Sequence, residues 1–489
     1  MVEARDSQKK NITAEKVCFF FPFLIFGISL LTIFFVPLGN GDEIWNYNFA
    51  ANILKGRLPY RDFNMLQTPL SAYIAAAFLK VAGDGMLNFR ILGFLLGMAV
   101  SGLLYELCCR ISGSWTAAFV VVGLVLGYYS MVWIYDYNQL NLFIILVLMR
   151  LEYAQEKETS ASFPVFTGVL YGLIPLIKQS TGMIFLLING ALVLRQMFKR
   201  KGRREALIQL ICSLLPGSIF CIWLLASGIW TDFTDYAVLG ISSFSNRFRW
   251  TEYISTSFIN LLIGLFPVMT IFFSVRAIIG NKTRVGRRLH IRLLILSIGG
   301  LTVAYPLCDA SHMYPAMVPF IICFFCCFEI KIQRFWQRIV CILTISGMSI
   351  LSLLAAWLNV ADDKLCSLAH FEKIPVQESR EEMILEVERY ILEQEKQGKS
   401  VLIADASAAL YMIPIDHYHK DFDMLLVGNV GTKSVDELLA DRQDTLYLVA
   451  EDETSALSQE HLELIHYIKN YYIKTDKVEN FAVYSKNEK

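Results

Sequence analysis

The chain has 489 residues, of which 55% are hydrophobic and 18% charged, and its 44 Lys and Arg are balanced by 44 Asp and Glu. A net charge of zero argues neither for nucleic acid nor for an acidic partner, and the mean hides an unequal distribution of basic residues. The apolar residues gather into runs as long as a bilayer is thick, which excludes an ordinary water-soluble globule and points to a polytopic helical membrane protein.

The first run, "VCFFFPFLIFGISLLTIFFVPL" at 17–38, follows Lys9, Lys10 and Lys16. It resembles a signal sequence, but its core is too long and no small-residue cleavage site follows, so a retained anchor is expected. Further runs near 88–109, 115–134, 139–151, 163–178, 180–195, 206–229, 254–276, 292–308, 313–329 and 338–358 bring the expected crossings to about eleven. "PLSAYIAAAFLKVAG" at 69–83 is short for a crossing and reads as a helix at the interface. Most of the 11 cysteines lie inside these runs, as small buried hydrophobes do, and Cys308 and Cys366 are a weak pair for a bridge.

Basic residues choose the orientation. The segments 195–204, 276–292 and 331–338 are rich in Lys and Arg, and assigning them to the cytoplasm puts about 22 basic residues on that side and about 8 on the other. The N-terminus is then cytoplasmic, and residues 359–489 are extracytoplasmic. Composition changes at the same point, dividing the chain into a membrane domain at 1–358 and a polar domain at 359–489. In the latter, amphipathic "SREEMILEVERYILEQEKQ" and short runs "SVLIAD", "TLYLVA" and "NFAVYS" predict a small α/β domain. No glycine-rich phosphate loop follows any of these runs. His417 and His419 in "DHYHKD" read as surface histidines more readily than as a metal site.

Ionisable groups near membrane depth are costly, and several converge on the extracytoplasmic side. Asp42 and Glu43 follow the first run, Arg61 and Asp62 close the same loop, and Asp136 sits between the third and fourth runs. Lys178 ends the fifth, Arg247 and Arg249 lie in 230–253, and Asp309 and His312 join the ninth and tenth. A carboxylate in a partly desolvated cleft can take a proton from an acceptor hydroxyl or amine, and cations nearby can neutralise a departing phosphate. Equally, Asp42 and Glu43 suit the N-terminus of a solvated helix, "EIWNYNFAANILKG". Composition alone leaves both readings open.

The stretch from Gly41 to Gly97 resembles the first extracytoplasmic loop of GT-C membrane glycosyltransferases, and more narrowly glycosyltransferase family 39, which includes protein O-mannosyltransferases and the lipid A aminoarabinose transferase. The matching marks are the acidic pair Asp42-Glu43, the Gly-x-x-Pro-Tyr-x-Asp turn from Gly56 to Asp62, the Pro-Leu-x-x-Tyr helix from Pro69 to Tyr73, and Arg90 opening the next span. "IPLIKQSTGMIFLL" is similar to the family's lysine-containing turn, and "YPLCDASHMYPAMVPF" to its late loop with an acid, a His and a Pro-containing helix. Gln67-Thr68 departs from the basic residue or histidine often found before Pro69, and "IYDYNQLNLF" around Asp136 matches the second acidic site only loosely.

The resemblance implies a GT-C fold and an inverting transfer of sugar from a polyprenyl-phosphate donor to an extracytoplasmic glycan, lipid or protein. Asp42 would be the base, with Glu43 shaping its pocket and helping to hold a divalent cation if one is used. Tyr60, Arg61, Asp62 and Asp136 would bind substrate, as would Asp309. Lys178, Arg247, Arg249 and His312 would stabilise the phosphate. No nucleic acid and no cofactor beyond that cation is implied. A transporter or flippase for a lipid-linked glycan is the competing reading; it would place its charges at mid-bilayer in repeated halves, and no internal repeat is visible.

Overall fold

The structure is a computed structural model that describes residues 20–130, 132–156, 160, 162–198, 202–240, 249–425, 429–439, 444–452 and 459–486. In chain order its first elements are α1 (Phe20–Phe35, closing in a 3-10 turn), α2 (Gly41–Leu54), α3 (Leu70–Ala82), α4 (Met86–Ser112), α5 (Trp115–Tyr129) and α6 (Tyr137–Gln155). Next come α7 (Phe163–Ile177), α8 (Gln179–Met197), α9 (Arg203–Ala226), α10 (Trp230–Phe233), α11 (Trp250–Ser255), α12 (Phe258–Ile279), α13 (Arg287–Gly300), α14 (Ala310–Cys327) and α15 (Phe335–Leu358). The remaining segment alternates: β1 (Lys364–Leu365), β2 (Pro375–Val376), α16 (Glu378–Lys396), β3 (Ser400–Ile403), α17 (Ala408–Met412), α18 (Val435–Leu439), β4 (Thr445–Ala450), α19 (Gln459–Tyr471), β5 (Tyr472–Val478) and β6 (Phe481–Lys486).

Each of the apolar runs expected to cross is helical. Among the described residues 6 helices, α4, α8, α9, α12, α14 and α15, are both long and apolar enough to span a bilayer unaided, and shorter apolar helices accompany them. The predicted interfacial run is α3, a helix of 13 residues. The ten described cysteines are free thiols.

The chain divides into two compact units, each assembled from separate stretches. Unit 1 takes Met1–Phe35, Gly93–Gly217 and Arg249–Asn359, and unit 2 takes Val36–Leu92, Ser218–Phe248 and Val360–Lys489. The α/β segment is thus one part of unit 2, which also draws in the loop after α1.

Within unit 1 small residues let helices approach closely, because lipid leaves van der Waals packing as a main source of helix association. Gly168 and Gly172, four residues apart on α7, lie against α9, where an added Cβ would stand 2.5 Å from the carbonyl oxygens of Gln209 and Ser213 respectively.

Unit 2 holds a four-stranded sheet in the order β3-β4-β6-β5, with β3 and β4 parallel and the other pairs antiparallel. β4 is buried at every position, as the central strand of a covered sheet must be. Its core joins Leu402, Tyr447, Val449, Leu464, Ile468 and Ala482. A second apolar cluster, including Phe49, Tyr60, Phe63, Leu224 and Tyr236, fixes the loop after α2.

Candidate active site

In unit 1 four of the charged residues singled out from sequence, Asp136, Lys178, Asp309 and His312, fall in one connected cluster. Lys178 is the single extended residue between α7 and α8 (φ −148°, ψ 112°), and α7 and α8 pack against each other across it. The turn is tight because Gly182 rests on the backbone of Pro175. That geometry buries Lys178, leaving it 2% exposed. Its Nζ donates to Asn138 Oδ1 at 2.9 Å and to the Val303 carbonyl at 2.7 Å, and stands 5.1 Å from the centre of the Tyr137 ring. Both acceptors are neutral. Among the described residues no carboxylate ion-pairs with Lys178; Asp136 and Asp309 act on it only through longer-range electrostatics.

Two N-caps place the remaining groups. Asp136 caps α6 by accepting from the Gln139 amide at 2.8 Å, and also accepts from the Asn138 side chain at 3.3 Å. Asp309 caps α14, accepting from the His312 amide at 3.0 Å and the Ser311 hydroxyl at 2.7 Å. The same carboxylate lies 2.7 Å from His312 Nδ1, while Nε2 of that ring is 3.4 Å from the Tyr137 hydroxyl. Burial alone would raise the Asp309 pKa, but its hydrogen bonds and charge interaction with His312 outweigh this and hold it well below the usual carboxylate range. Asp309 therefore fixes the tautomer and orientation of His312 as an anion does.

The first turns of α6 and α8 also carry buried polar atoms with no hydrogen-bond partner among the described residues: Gln139 Nε2, both amide atoms of Asn141, Ser180 Oγ and Thr181 Oγ1. Natural cores leave few such groups; Ser180 and Thr181 closely follow Lys178 in the chain and Gln139 adjoins its partner Asn138, which suits a polar ligand or ordered water there.

In unit 2 the acidic pair divides into two roles. Asn40, not an acid, is the N-cap of α2, accepting from the Glu43 amide at 3.3 Å. Asp42 sits exposed in the first helical turn, where its negative charge suits the helix dipole. Glu43 is buried, and both its oxygens are taken by Arg90, at 2.9 Å from Nε and 2.7 Å from Nη2. Arg90 Nη1 then donates to the Val36 carbonyl at 2.7 Å. Both Glu43 oxygens are thus engaged by one guanidinium, which leaves the carboxylate little capacity for a cation.

Tyr60 is fully buried with φ 68°, and its hydroxyl donates to the Gln67 carbonyl at 2.8 Å. This places Tyr60 in the packing of unit 2. Arg61 and Asp62 form a pair 2.9 Å apart, and Asp62 also accepts from the Leu58 amide, which closes the turn locally. Arg249 is exposed and paired with Glu252 at 2.9 Å, and Arg247 lies outside the described residues. His417 Nε2 is 2.7 Å from Glu395 Oε2, and among the described residues no group of three or more His, Cys, Asp or Glu is arranged to hold a metal ion.

The residues that sequence reasoning passed over are neutral or distant partners: Tyr137, Asn138 and Ser311. Tyr137 and Asn138 adjoin Asp136 in a polar patch opening an apolar run, which was the available signal.

Comparison with known proteins agrees with this architecture. Residues 66–223 match the family model described as dolichyl-phosphate-mannose-protein mannosyltransferase. Two crystal structures of ArnT from Cupriavidus metallidurans share the fold. The one bound to undecaprenyl phosphate aligns with a TM-score of 0.55 at 11% identity, covering 96% of this chain and 98% of that one. The apo structure aligns with a TM-score of 0.57 at 10% identity, covering 97% and 98%. No curated protein shows significant sequence similarity to the chain. The fold is that of a polytopic GT-C membrane protein with a small C-terminal sheet-containing segment, as the resemblance in the sequence implied.

Proposed function

We propose that the chain is a membrane glycosyltransferase that moves a sugar from a polyprenyl-phosphate donor to an extracytoplasmic acceptor, with inversion at the anomeric carbon. The observation that carries this reading is Lys178: a buried ammonium held by neutral oxygens, with His312 and unsatisfied polar atoms in the same cluster. An anion completes such a site. A phosphate is the anion that the family match over 66–223 and the undecaprenyl phosphate in one ArnT structure both favour. The same likeness disfavours the transporter reading.

In the proposed reaction the acceptor oxygen or nitrogen attacks the anomeric carbon. The bond from that carbon to the phosphate oxygen breaks, and the polyprenyl phosphate leaves with the electron pair. Lys178 stabilises the charge that develops on the leaving phosphate, and His312, held through Nδ1 by Asp309, donates a hydrogen bond to it from Nε2 in its imidazolium form. Asp42 accepts the proton from the acceptor. Glu43 and Arg90 hold the first turn of α2, and so Asp42, in place. The N-terminus is assigned to the cytoplasm and residues 359–489 to the opposite side, on the distribution of basic residues.

The deciding experiment is Asp42→Asn, with expression and membrane insertion verified. Transfer from a radiolabelled polyprenyl-phosphate sugar should fall by roughly 10²-fold or more, while the melting temperature stays within about a degree because the side chain is exposed. Unchanged transfer would remove Asp42 from the chemistry. A reporter fused after Lys489 that proved cytoplasmic would reverse the orientation.

A further inference from the structure

Unit 1 contains a second polar site, far along α8 from Lys178. A cavity of about 400 Å³ opens where the C-terminal end of α8 meets the N-terminal end of α13, lined by Arg195, Arg287, Arg288 and Arg292. Arg195 is seventeen residues after Lys178, so it lies roughly 25 Å away along the helix axis, close to the thickness of a hydrocarbon core. The two sites therefore face opposite leaflets.

The four arginines are not equivalent. Arg292 is ion-paired with Glu152, and the Glu156 carboxylate packs against Gly286. Among the described residues Arg195, Arg287 and Arg288 make no ion pair, so the cavity keeps an excess of positive charge. The same end of α13 begins at Gly286 without a side-chain cap, and its first amides add to that potential. The remaining lining is Gln196, whose amide donates to the Gly202 carbonyl, and three aliphatic side chains, Leu192 on α8 and Ile291 and Ile295 on α13. Charge at the mouth and aliphatic side chains behind it match an amphiphile, not a free ion. Basic pockets between membrane helices on the positively charged side of a protein recognise anionic lipid headgroups in this way.

We propose that this cavity binds the phosphate of an anionic phospholipid from the leaflet facing the arginine-rich segments, with an acyl chain against Leu192 and Ile295. The occupant ties α8 to α13 at the end remote from Lys178, and it holds independently of the reaction proposed for the other end.

The test uses the full chain in nanodiscs and in detergent, with phosphatidylglycerol, phosphatidylcholine and inorganic phosphate as probes, read by native mass spectrometry and thermal melting. The wild type should retain phosphatidylglycerol over phosphatidylcholine and melt higher with it. R195Q/R287Q/R288Q should lower apparent phosphatidylglycerol affinity by roughly tenfold or more. R334Q/R338Q, which removes charge from exposed positions at the start of α15, should change it less than about twofold. Should the triple variant fail to accumulate, R287Q alone is read the same way, and an unchanged affinity there overturns the proposal. Equal retention of the two lipids by the wild type, or displacement of phosphatidylglycerol by inorganic phosphate at equal concentration, would also overturn it.

Discussion

Arg90 in unit 2 and Lys178 in unit 1 are both buried cations, yet they are satisfied in opposite ways. Arg90 is neutralised by a buried carboxylate that meets it with both oxygens, whereas Lys178 meets an amide oxygen and a backbone carbonyl. A charge paired with its counter-charge organises structure. One left with neutral acceptors retains an electrostatic demand that an arriving anion would meet. Exposure does not separate the two, since Arg90 is 0% and Lys178 2% exposed; their partners do.

The sharpest way to break that comparison is to remove each cation in turn. Arg90→Met leaves Glu43 buried without its partner and should destabilise the protein by roughly 3–5 kcal/mol, measured as a fall in melting temperature, with transfer lost only as folded protein is lost. Glu43→Gln added to Arg90→Met should recover part of that stability. Lys178→Met strands no carboxylate. The acceptors it orphans cost about 1–3 kcal/mol, and relief from burying an ammonium offsets this, so stability should change little. Donor-dependent transfer should fall by roughly 10²-fold. A Lys178→Met protein that unfolds like Arg90→Met, with activity per folded molecule intact, would return Lys178 to structure.

A smaller effect is expected from moving Lys178 without removing it. Gly182→Ala puts a methyl group onto the backbone of Pro175, and overpacking of this kind costs about 1–3 kcal/mol. The α7–α8 turn must open, so transfer should fall by more than the loss of folded protein explains. Gly190→Ala, later on α8 where an added Cβ meets nothing within 4 Å, is the control and should behave as wild type.

These contrasts mark how far the sequence could be read. Helical runs were legible because about twenty consecutive apolar residues have few alternatives in a bilayer. Lys178, Asp309 and His312 stood out as ionisable groups at the ends of such runs. The Glu43–Arg90 pair was not legible as a pair: each residue was noticed separately, but a contact across 47 positions is set by tertiary packing. Asn138 was missed because the polar patch around Asp136 marks a place in the chain but a neutral amide in it names no partner. β5 escaped notice since "YIKTDKV" is largely exposed and carries charges, as edge strands do, while β3, β4 and β6 announced themselves as apolar runs. The three-segment make-up of unit 2 has no trace in composition.

Glu388 on α16 gives a third way of tolerating a buried ionisable group, by protonation. It is 8% exposed, its Oε1 has no hydrogen-bond partner among the described residues, and burial pushes its pKa up to about 7. A carboxyl whose pKa is raised in the folded state binds its proton more tightly there than in the unfolded chain. Its contribution to stability is therefore full below the unfolded pKa and is lost as pH rises through about 7. Melting of the full chain should show a fall of roughly 1–3 kcal/mol between pH 5 and pH 8 that Glu388→Gln removes. A wild-type profile that Glu388→Gln leaves unchanged would mean that the group is ionised and paired in solution.

The smallest expected effect is the one that best bounds the comparison. Arg249 was grouped with Lys178 from sequence because both are basic and flank apolar runs. In the structure Arg249 is exposed and already paired with Glu252, three residues away on the first turn of α11. Water solvates both partners, so the pair contributes about 0–1 kcal/mol and exerts little of the field that a desolvated ammonium does. Arg249→Gln should shift the melting temperature by no more than about a degree and change transfer less than about twofold. A hundredfold loss with the fold intact would place an exposed, paired cation at the phosphate, and the argument that burial with neutral partners identifies the working charge would fail at Lys178 as well.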